Sequence, residues 1–267
     1  MKLGFIGCSN ITKAMMRSFI SQKAVDAKDI IAYDCDRYTL FRVEEEYGVI
    51  TTDSRKEAAR NCDIIILSER VEHYYDAAHE IRKIIGPEQI LVSTAPNMPI
   101  SAVEERFGDD VKIIRAKPNT PAIVGESMTG ICHNALVTHE EFVAVCHLMS
   151  CFGVVEKVPE SLMDVVIAVS SSSPAYVFMF IEAMADAASA DGMPRAQAYE
   201  FAAQAVLGSA KMILETGKHP GELKDMVCSP GGTTLEAIRV LEAHGLRGSV
   251  FEAVKACTAK CKKVTDK

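Results

Sequence analysis

Through the first half of the chain, apolar residues come in short blocks separated by polar segments of helical period. Residues 2–6 read as a strand, 7–10 as a turn, and 11–20 as a helix with Ala14, Met15, Ser18 and Phe19 on one side. A second strand, Ile30–Tyr33, ends at Asp34, and a helix over Arg37–Tyr47 stops at Gly48. The third strand, 63–67, carries Ile64, Ile65, Ile66 and Leu67 with no alternation, which suits a strand buried on both faces of a parallel sheet. A helix over 72–85 stops at Gly86 and Pro87, a strand follows at 89–93, a short helix starts at Pro99, and a fifth strand covers 111–115. Strand–helix alternation with short connections predicts a doubly wound, Rossmann-like α/β domain over 1–158.

From about residue 160 the strand signals give way to long helical ones. Val177, Phe180, Ile181, Met184 and Ala188 follow a helical period. So do Ala202, Ala205, Val206, Ser209, Met212 and Ile213, and again Leu246, Val250, Val254, Cys257 and Cys261. Gly192 and Gly217 end helices, while Pro194 and Pro220 start them. Residues 159–267 are therefore expected to form an all-α domain. Its segment 176–181 is apolar on nearly every side, which points to a subunit interface or, as the alternative, to a core helix within one subunit.

Composition narrows the partners. The 267 residues are 48% hydrophobic and 24% charged, ordinary for a globular protein. A formal charge of −7 argues against a general nucleic-acid or anionic-membrane binder. The longest uninterrupted apolar runs, 175–181 and 165–169, fall short of the ~20 residues that span a bilayer. No charged segment precedes an apolar leader at the start, so the expectation is a cytoplasmic protein with no membrane and no nucleic-acid partner. The nine cysteines lack a C-x-x-C pair and the seven histidines make no metal-ligand spacing, so reduced, mostly buried thiols and no metal are expected.

Candidate chemistry sits in five places. The turn Gly7-Cys8-Ser9-Asn10-Ile11-Thr12 lies where a dinucleotide fingerprint would, after a first strand and at a helix start. Only the first of its three glycines is present, and an ordinary turn with Asn10 as N-cap is the alternative. Asp34 stands in the region, about 20 residues on, where a carboxylate receives the adenosine ribose. A carboxylate there favours NADH over NADPH, although Arg37 could pair with a 2′-phosphate and Asp34 could be a plain turn residue. Residues 117–121 form a polar turn at the carboxyl end of the fifth strand, where open α/β sheets place ligands. Residues 228–234 combine two glycines with Thr233 and Thr234 at a helix start, suited to a carboxylate or phosphate, or else to a simple capped hinge. Ser170, Ser171, Ser172 and Ser173 are similar, four hydroxyls before a helix begun by Pro174, or else a flexible capped break. No nucleophile–base pairing is legible, and hydride transfer from a nicotinamide needs little acid–base machinery.

The stretches Ser172-Ser173-Pro174-Ala175-Tyr176-Val177-Phe178 and Ala205-Val206-Leu207-Gly208-Ser209-Ala210-Lys211-Met212 resemble the helical domain of the pyrroline-5-carboxylate reductase family. So does Lys224-Asp225-Met226-Val227-Cys228-Ser229-Pro230-Gly231-Gly232-Thr233-Thr234, and Pro118-Asn119-Thr120-Pro121-Ala122 resembles its N-terminal domain. The resemblance implies a helical dimerisation domain, dimers that assemble into decamers, and reduction of 1-pyrroline-5-carboxylate to proline by NADH or NADPH. It implies substrate contacts at Ser229, Gly231, Gly232, Thr233 and Thr234, with Thr234 hydrogen-bonding the ring nitrogen. It implies cofactor contacts at Gly7, Ser9, Asn10, Ile11, Asp34, Ser68, Arg70, Ala95, Pro118 and Asn119.

Departures from the family pattern cluster on the cofactor side. Ser9 and Thr12 replace fingerprint glycines, Ser68-Glu69-Arg70-Val71 stands for Ala-Val-Lys-Pro, and Ala95-Pro96-Asn97 stands for Ala-Ala-Gly. Lys117 replaces Met, and Ser171 and Ser173 replace glycines. Two further readings are therefore a small-molecule binding protein with lost or altered reductase activity and a reductase of another cyclic imino acid.

Overall fold

A computed structural model describes residues 1–96 and 98–265, which leaves Asn97 outside the described residues. Eight strands form one sheet: β1 (Leu3–Ile6), β2 (Ile30–Tyr33), β3 (Ile50–Thr52), β4 (Ile64–Leu67), β5 (Ile90–Ser93), β6 (Lys112–Lys117), β7 (Ser127–His133) and β8 (Gly153–Lys157). Their order is β3-β2-β1-β4-β5-β6-β7-β8, with every pairing parallel except β6 with β7. The order reverses between β1 and β4, so the crevice at the carboxyl ends of those two strands is where such a sheet takes a ligand.

Helices cover both faces of the sheet: α1 (Asn10–Ser21), α2 (Arg37–Tyr47), α3 (Arg55–Ala59), α4 (Tyr74–Ile81), α5 (Ile100–Phe107) and α6 (His139–Met149). On one face Leu3, Phe5, Ile64, Ile66, Val92 and Ile114 pack with Met15, Phe19 and Phe142. On the other, Ile6, Ile65, Leu67, Leu91 and Ile113 pack with Ala58, Tyr74 and Phe107. The unalternating Ile-Ile-Ile-Leu run of β4 is buried at every position, as its composition predicts for a central parallel strand.

The remaining helices are α7 (Met163–Val166), α8 (Ser173–Ala190), α9 (Arg195–Thr216), α10 (Pro220–Val227), α11 (Thr233–Ala243) and α12 (Leu246–Thr265). Two compact units emerge, Met1–Ser172 with the segment from Thr258 onward, and Ser173–Cys257. The first extends past the expected border at 158/159. Met163 and Ala168 are fully buried in it, and the Glu160 carboxylate accepts hydrogen bonds from Ile100 N (2.7 Å) and Arg115 Nη1 (3.1 Å).

In the second unit α8 and α9 pack together, and Pro194 and Gly217 flank α9 as the punctuation predicts. Its buried apolar side chains among the described residues are Ala185, Ala198, Ala202 and Leu223. Phe178 (62%), Met179 (69%), Phe201 (63%) and Leu214 (84%) stand exposed.

Several local expectations differ from what is observed. The N-cap of α1 is Ser9, not Asn10, which is the first helical residue. The helix expected over 72–85 is a 3₁₀ turn, Val71–His73, followed by the shorter α4. At the serine run a π turn over Ile167–Ser171 ends at Ser172, a bend, and α8 begins at Ser173. The stretch Glu160–Ala190 is long and apolar enough to cross a membrane by length and composition, with a mean hydropathy of 1.5 and 11% of the window buried. Uninterrupted apolar runs understate it, because isolated serines and acids end a run yet lower the mean of the whole stretch only to 1.5.

Candidate functional site

At the crevice, β1 runs into Gly7, whose N–H donates to Tyr33 O (2.8 Å) at the end of β2. Gly7 has φ +100°, and a Cβ there would stand 2.8 Å from the Ser68 carbonyl and 2.9 Å from Glu69 N. The ends of β1, β2 and the loop after β4 thus meet at a residue that only glycine can fill.

Ser9 turns its hydroxyl onto the protein. It accepts from Thr12 N (3.4 Å) as the N-cap of α1 and lies 3.1 Å from the Ser68 hydroxyl. Thr12, fully buried, has its own hydroxyl 3.0 Å from both Gly7 O and Ser9 O. Where a fingerprint has glycines, this chain has two hydroxyls that close the turn. Among the described residues the N–H groups of Asn10 and Ile11 have no acceptor. Two free donors at the positive end of a helix fit the pyrophosphate of a nicotinamide dinucleotide.

Asp34 follows β2 directly and is already engaged: Oδ2 accepts from Cys8 N (2.7 Å) and Oδ1 from Asp36 N (2.9 Å). Asp36 caps α2, and hydrogen bonds from the Thr39 hydroxyl and Tyr38 N hold its carboxyl below its ordinary pKa. Arg37 pairs with Asp53 at 3.4 Å, both largely exposed. Burial and the Asp34 carboxylate push the Cys8 thiol up to about 12, which leaves it an inert donor 3.6 Å from Tyr33 O.

The loop after β4 is fixed from below. Glu69 accepts from Arg55 Nε (3.1 Å) and Nη2 (2.9 Å), Arg55 Nη1 reaches Glu80 (2.7 Å), and the guanidinium lies 4.8 Å from the Tyr33 ring centroid. Burial opposes the Arg55 charge, yet the Glu69 hydrogen bonds raise its pKa above the ordinary value. Ser68 is thereby held beside Ser9, while Arg70 is exposed.

Further along the same edge lie the ends of β5 and β6. Ala95 and Asn119 are buried, as is Pro118. Asn119 acts as a bracket: its N–H donates to Ser127 Oγ (3.2 Å), Oδ1 accepts from Met128 N (3.0 Å), and Nδ2 donates to Ser170 O (2.8 Å). Lys117, at the end of β6, is 6% exposed and donates to Thr94 O (2.6 Å). Burial, helped by the Arg115 charge, lowers its pKa to about 7. Arg115 is itself buried and paired with Glu160, its Nε and Nη2 without partners among the described residues. Lys117, expected as the first residue of the polar turn 117–121 and as a departure from the family pattern, is instead the last residue of β6, and its neighbours Ile113, Ile114 and Ala116 are the signal that this strand is buried.

The loop 229–234 belongs to the second unit. Gly232 N donates to Ser229 O (2.9 Å), which closes a turn with Pro230 and Gly231 at its centre. Gly231 has φ +68°, the left-handed value a Pro-Gly turn of this kind requires. Gly232 is the N-cap of α11 and supplies no side chain, so the N–H groups of Thr233 and Thr234 have no acceptor among the described residues. Ser229 and Thr233 are exposed and Thr234 is half-buried. Two open N–H groups flanked by three hydroxyls make a receptor for a carboxylate. Gly7, Ser9, Asn10, Ile11, Asp34, Ser68 and Arg70 thus gather at one crevice, Ala95, Pro118 and Asn119 at the neighbouring strand ends, and 229–234 form a loop of the helical unit.

Comparison with known proteins agrees with this division. A profile for pyrroline-5-carboxylate reductase dimerisation matches residues 160–264, and one for NADP oxidoreductase, coenzyme F420-dependent, matches 2–97. The pyrroline-5-carboxylate reductase of Escherichia coli (strain K12) is 47% identical over 264 residues, covering 99% of this chain and 98% of that protein. The structure of a pyrroline-5-carboxylate reductase from Coxiella burnetii superposes with a TM-score of 0.91 at 30% identity, covering 98% of each chain. That of Plasmodium falciparum pyrroline carboxylate reductase with NADP bound superposes with a TM-score of 0.91 at 27% identity, covering 99% of this chain and 98% of that one. By full-length identity and by fold, the chain belongs to the pyrroline-5-carboxylate reductase family.

Proposed function

We propose that this chain reduces 1-pyrroline-5-carboxylate to proline in proline biosynthesis, with NADH or NADPH as donor. The observation that carries the reading is the 47% identity to the Escherichia coli reductase over the full length of both chains. The open donors of the 229–234 loop support it, since the substrate presents a carboxylate beside a ring nitrogen.

In this reading Ser229, Gly231, Gly232 and Thr233 hold the carboxylate through N–H groups and hydroxyls. The Thr234 hydroxyl accepts from the protonated ring nitrogen and so favours the iminium, the better hydride acceptor. The dinucleotide, when bound, supplies the hydride. Asn10 and Ile11 N–H receive its pyrophosphate, with Ser9, Ser68 and Arg70 alongside. Asp34 meets the adenosine ribose beyond Gly7, and Ala95, Pro118 and Asn119 flank the nicotinamide half. Orientation of this kind can contribute several kcal/mol to lowering a barrier.

A carboxylate at Asp34 favours NADH, and Arg37 is paired with Asp53 instead. The exposed apolar side chains of α8 and α9 support a homodimer, and we extend that to a pentamer of dimers in the cytoplasm. Dinucleotide binding falls to the first unit and substrate binding to the second, which carries the 229–234 loop.

The test is oxidation of NADH and of NADPH by pure protein in the presence of 1-pyrroline-5-carboxylate, followed by the loss of reduced-nicotinamide absorbance. Turnover is expected with both, and Thr234→Val should lower kcat/KM by about 100-fold. Binding of proline without turnover on either cofactor would sink the reading in favour of a binding protein, and turnover confined to a six-membered imino acid would reassign the substrate.

A further inference from the structure

Lys117 is the buried cation that the reading above leaves without work. Its side chain runs from the end of β6 to the carbonyl of Thr94, just past the end of β5, at 2.6 Å. No carboxylate lies within ion-pair distance of it among the described residues. The ionisable groups that face it are the Arg115 guanidinium, from its own strand, and the Cys261 thiol, from α12. Burying an ammonium against a like charge and one carbonyl costs stability. An apolar residue of similar length would fill the same space without that cost.

Its position gives the charge a use. The sheet reverses order between β1 and β4, and Asp34, at the end of β2, marks the adenosine half of the crevice. The ends of β4, β5 and β6 lie on the other side of that reversal, so in the proposed complex Lys117, the last residue of β6, stands on the nicotinamide side. The two redox forms of that ring differ by one positive charge, which the oxidised form carries. A fixed cation inside a low-dielectric wall repels the oxidised form and is indifferent to the reduced one.

We propose that Lys117 is a charge filter that makes the crevice bind reduced dinucleotide in preference to oxidised dinucleotide. The proposal rests on the oxidoreductase reading and deepens it, since it assigns a specificity residue for the cofactor's redox state. It also predicts weak product inhibition by the oxidised cofactor. Because the Lys117 amine is lowered to about 7, the filter is on at pH 6 and off by pH 8.5.

The experiment is equilibrium binding of NADH and NAD⁺ to the full-length protein by titration calorimetry at pH 6 and pH 8.5. For wild type, the ratio of the NAD⁺ Kd to the NADH Kd should fall by about 10-fold between the two pH values, the size of one modest charge interaction. Lys117→Met should show the low ratio at both, through tighter NAD⁺ binding with NADH affinity unchanged. Lys117→Arg should keep the high ratio at both. Cys261→Ser should leave the wild-type pH dependence in place, which separates the amine from the facing thiol. A Lys117→Met ratio equal to that of wild type at pH 6 overturns the proposal while the reductase reading stands. Failure of wild type to bind either form overturns the reductase reading as well. Should the Met or Arg variant fail to fold, the wild-type and Cys261→Ser ratios at the two pH values decide, and a pH-independent ratio overturns the proposal.

Discussion

The hydroxyls of Ser9 and Ser68 lie 3.1 Å apart at the crevice proposed for the dinucleotide, joining the turn after β1 to the loop after β4. Ser9 occupies a position where its family resemblance calls for glycine, yet its side chain is folded back as a helix cap. Ser9→Ala should therefore cost about 1 kcal/mol, seen as a lower melting temperature, and Ser9→Gly only a few tenths. The Gly variant should bind dinucleotide at least as tightly as wild type. A Gly variant that binds ten times more weakly would make the serine hydroxyl a ligand rather than a cap.

Asp34 has two duties, receiving Cys8 N and Asp36 N and facing the adenosine ribose in the proposed complex. Asp34→Ser should shift the ratio of kcat/KM values toward NADPH by about 10-fold or more. It should also lower stability by roughly 1–3 kcal/mol, because the two N–H groups lose a charged acceptor. A pure specificity change with an unchanged denaturation midpoint would mean that the backbone contacts are energetically idle.

Lys117 makes stability depend on pH in a stated direction. Its folded pKa of about 7 lies below the ordinary lysine value of 10.5, so between these values the unfolded chain holds more protons. Stability from this group therefore rises with pH across that window, by at most ~1.4 kcal/mol per pH unit, and is lowest below pH 7. Urea melts at pH 7 and pH 9 should show Lys117→Met stabilised over wild type at pH 7, with that advantage smaller at pH 9 and closing as the pH nears 10.5. Parallel pH profiles for the two proteins would count against this assignment.

The helical unit leaves Phe178, Met179, Phe201 and Leu214 in the open while burying mainly alanines. Apolar exposure on that scale marks an interface. Phe178→Asp with Met179→Asp should shift the sedimenting species from dimer or larger toward monomer at micromolar concentration. It should also bring a lower melting temperature that no longer depends on protein concentration. A stable wild-type monomer would remove the basis for this expectation.

Much of the sheet was legible because β1, β2, β4 and β5 are short apolar runs bounded by turn residues. Other elements were not, for reasons of chemistry. β3 is three residues with two threonines and an exposed Ile50, and α3 has five residues. β7 reads as polar, yet Ser127 and Thr129 are buried and their hydroxyls lie 3.3 Å apart, with Ser127 Oγ also accepting from Asn119 N. The fifth strand was cut short at Arg115, since two cations do not look like core; Arg115 is buried by its pairing with Glu160, and Lys117 by the Thr94 carbonyl. At the crevice the position of the turn was readable from strand–turn–helix order alone. How Ser9 and Thr12 stand in for glycines was not, because the answer depends on Ser68, Gly7 O and Ser9 O, and no spacing rule encodes those contacts.

Gly7 has one more consequence, for the thermodynamics of recognition. Its N–H is tied to Tyr33 O, Ser68 N donates to Ile6 O (2.8 Å), and the space a side chain would need is filled by backbone. The receiving end of the crevice therefore has no slack. Its loops are ordered by folding, so a dinucleotide arriving there meets N–H groups already aimed and bears little ordering cost in the chain. Affinity at that end should follow the phosphates and ribose of the ligand, with calorimetric entropy losses that reflect the stiffening of the dinucleotide rather than of the protein.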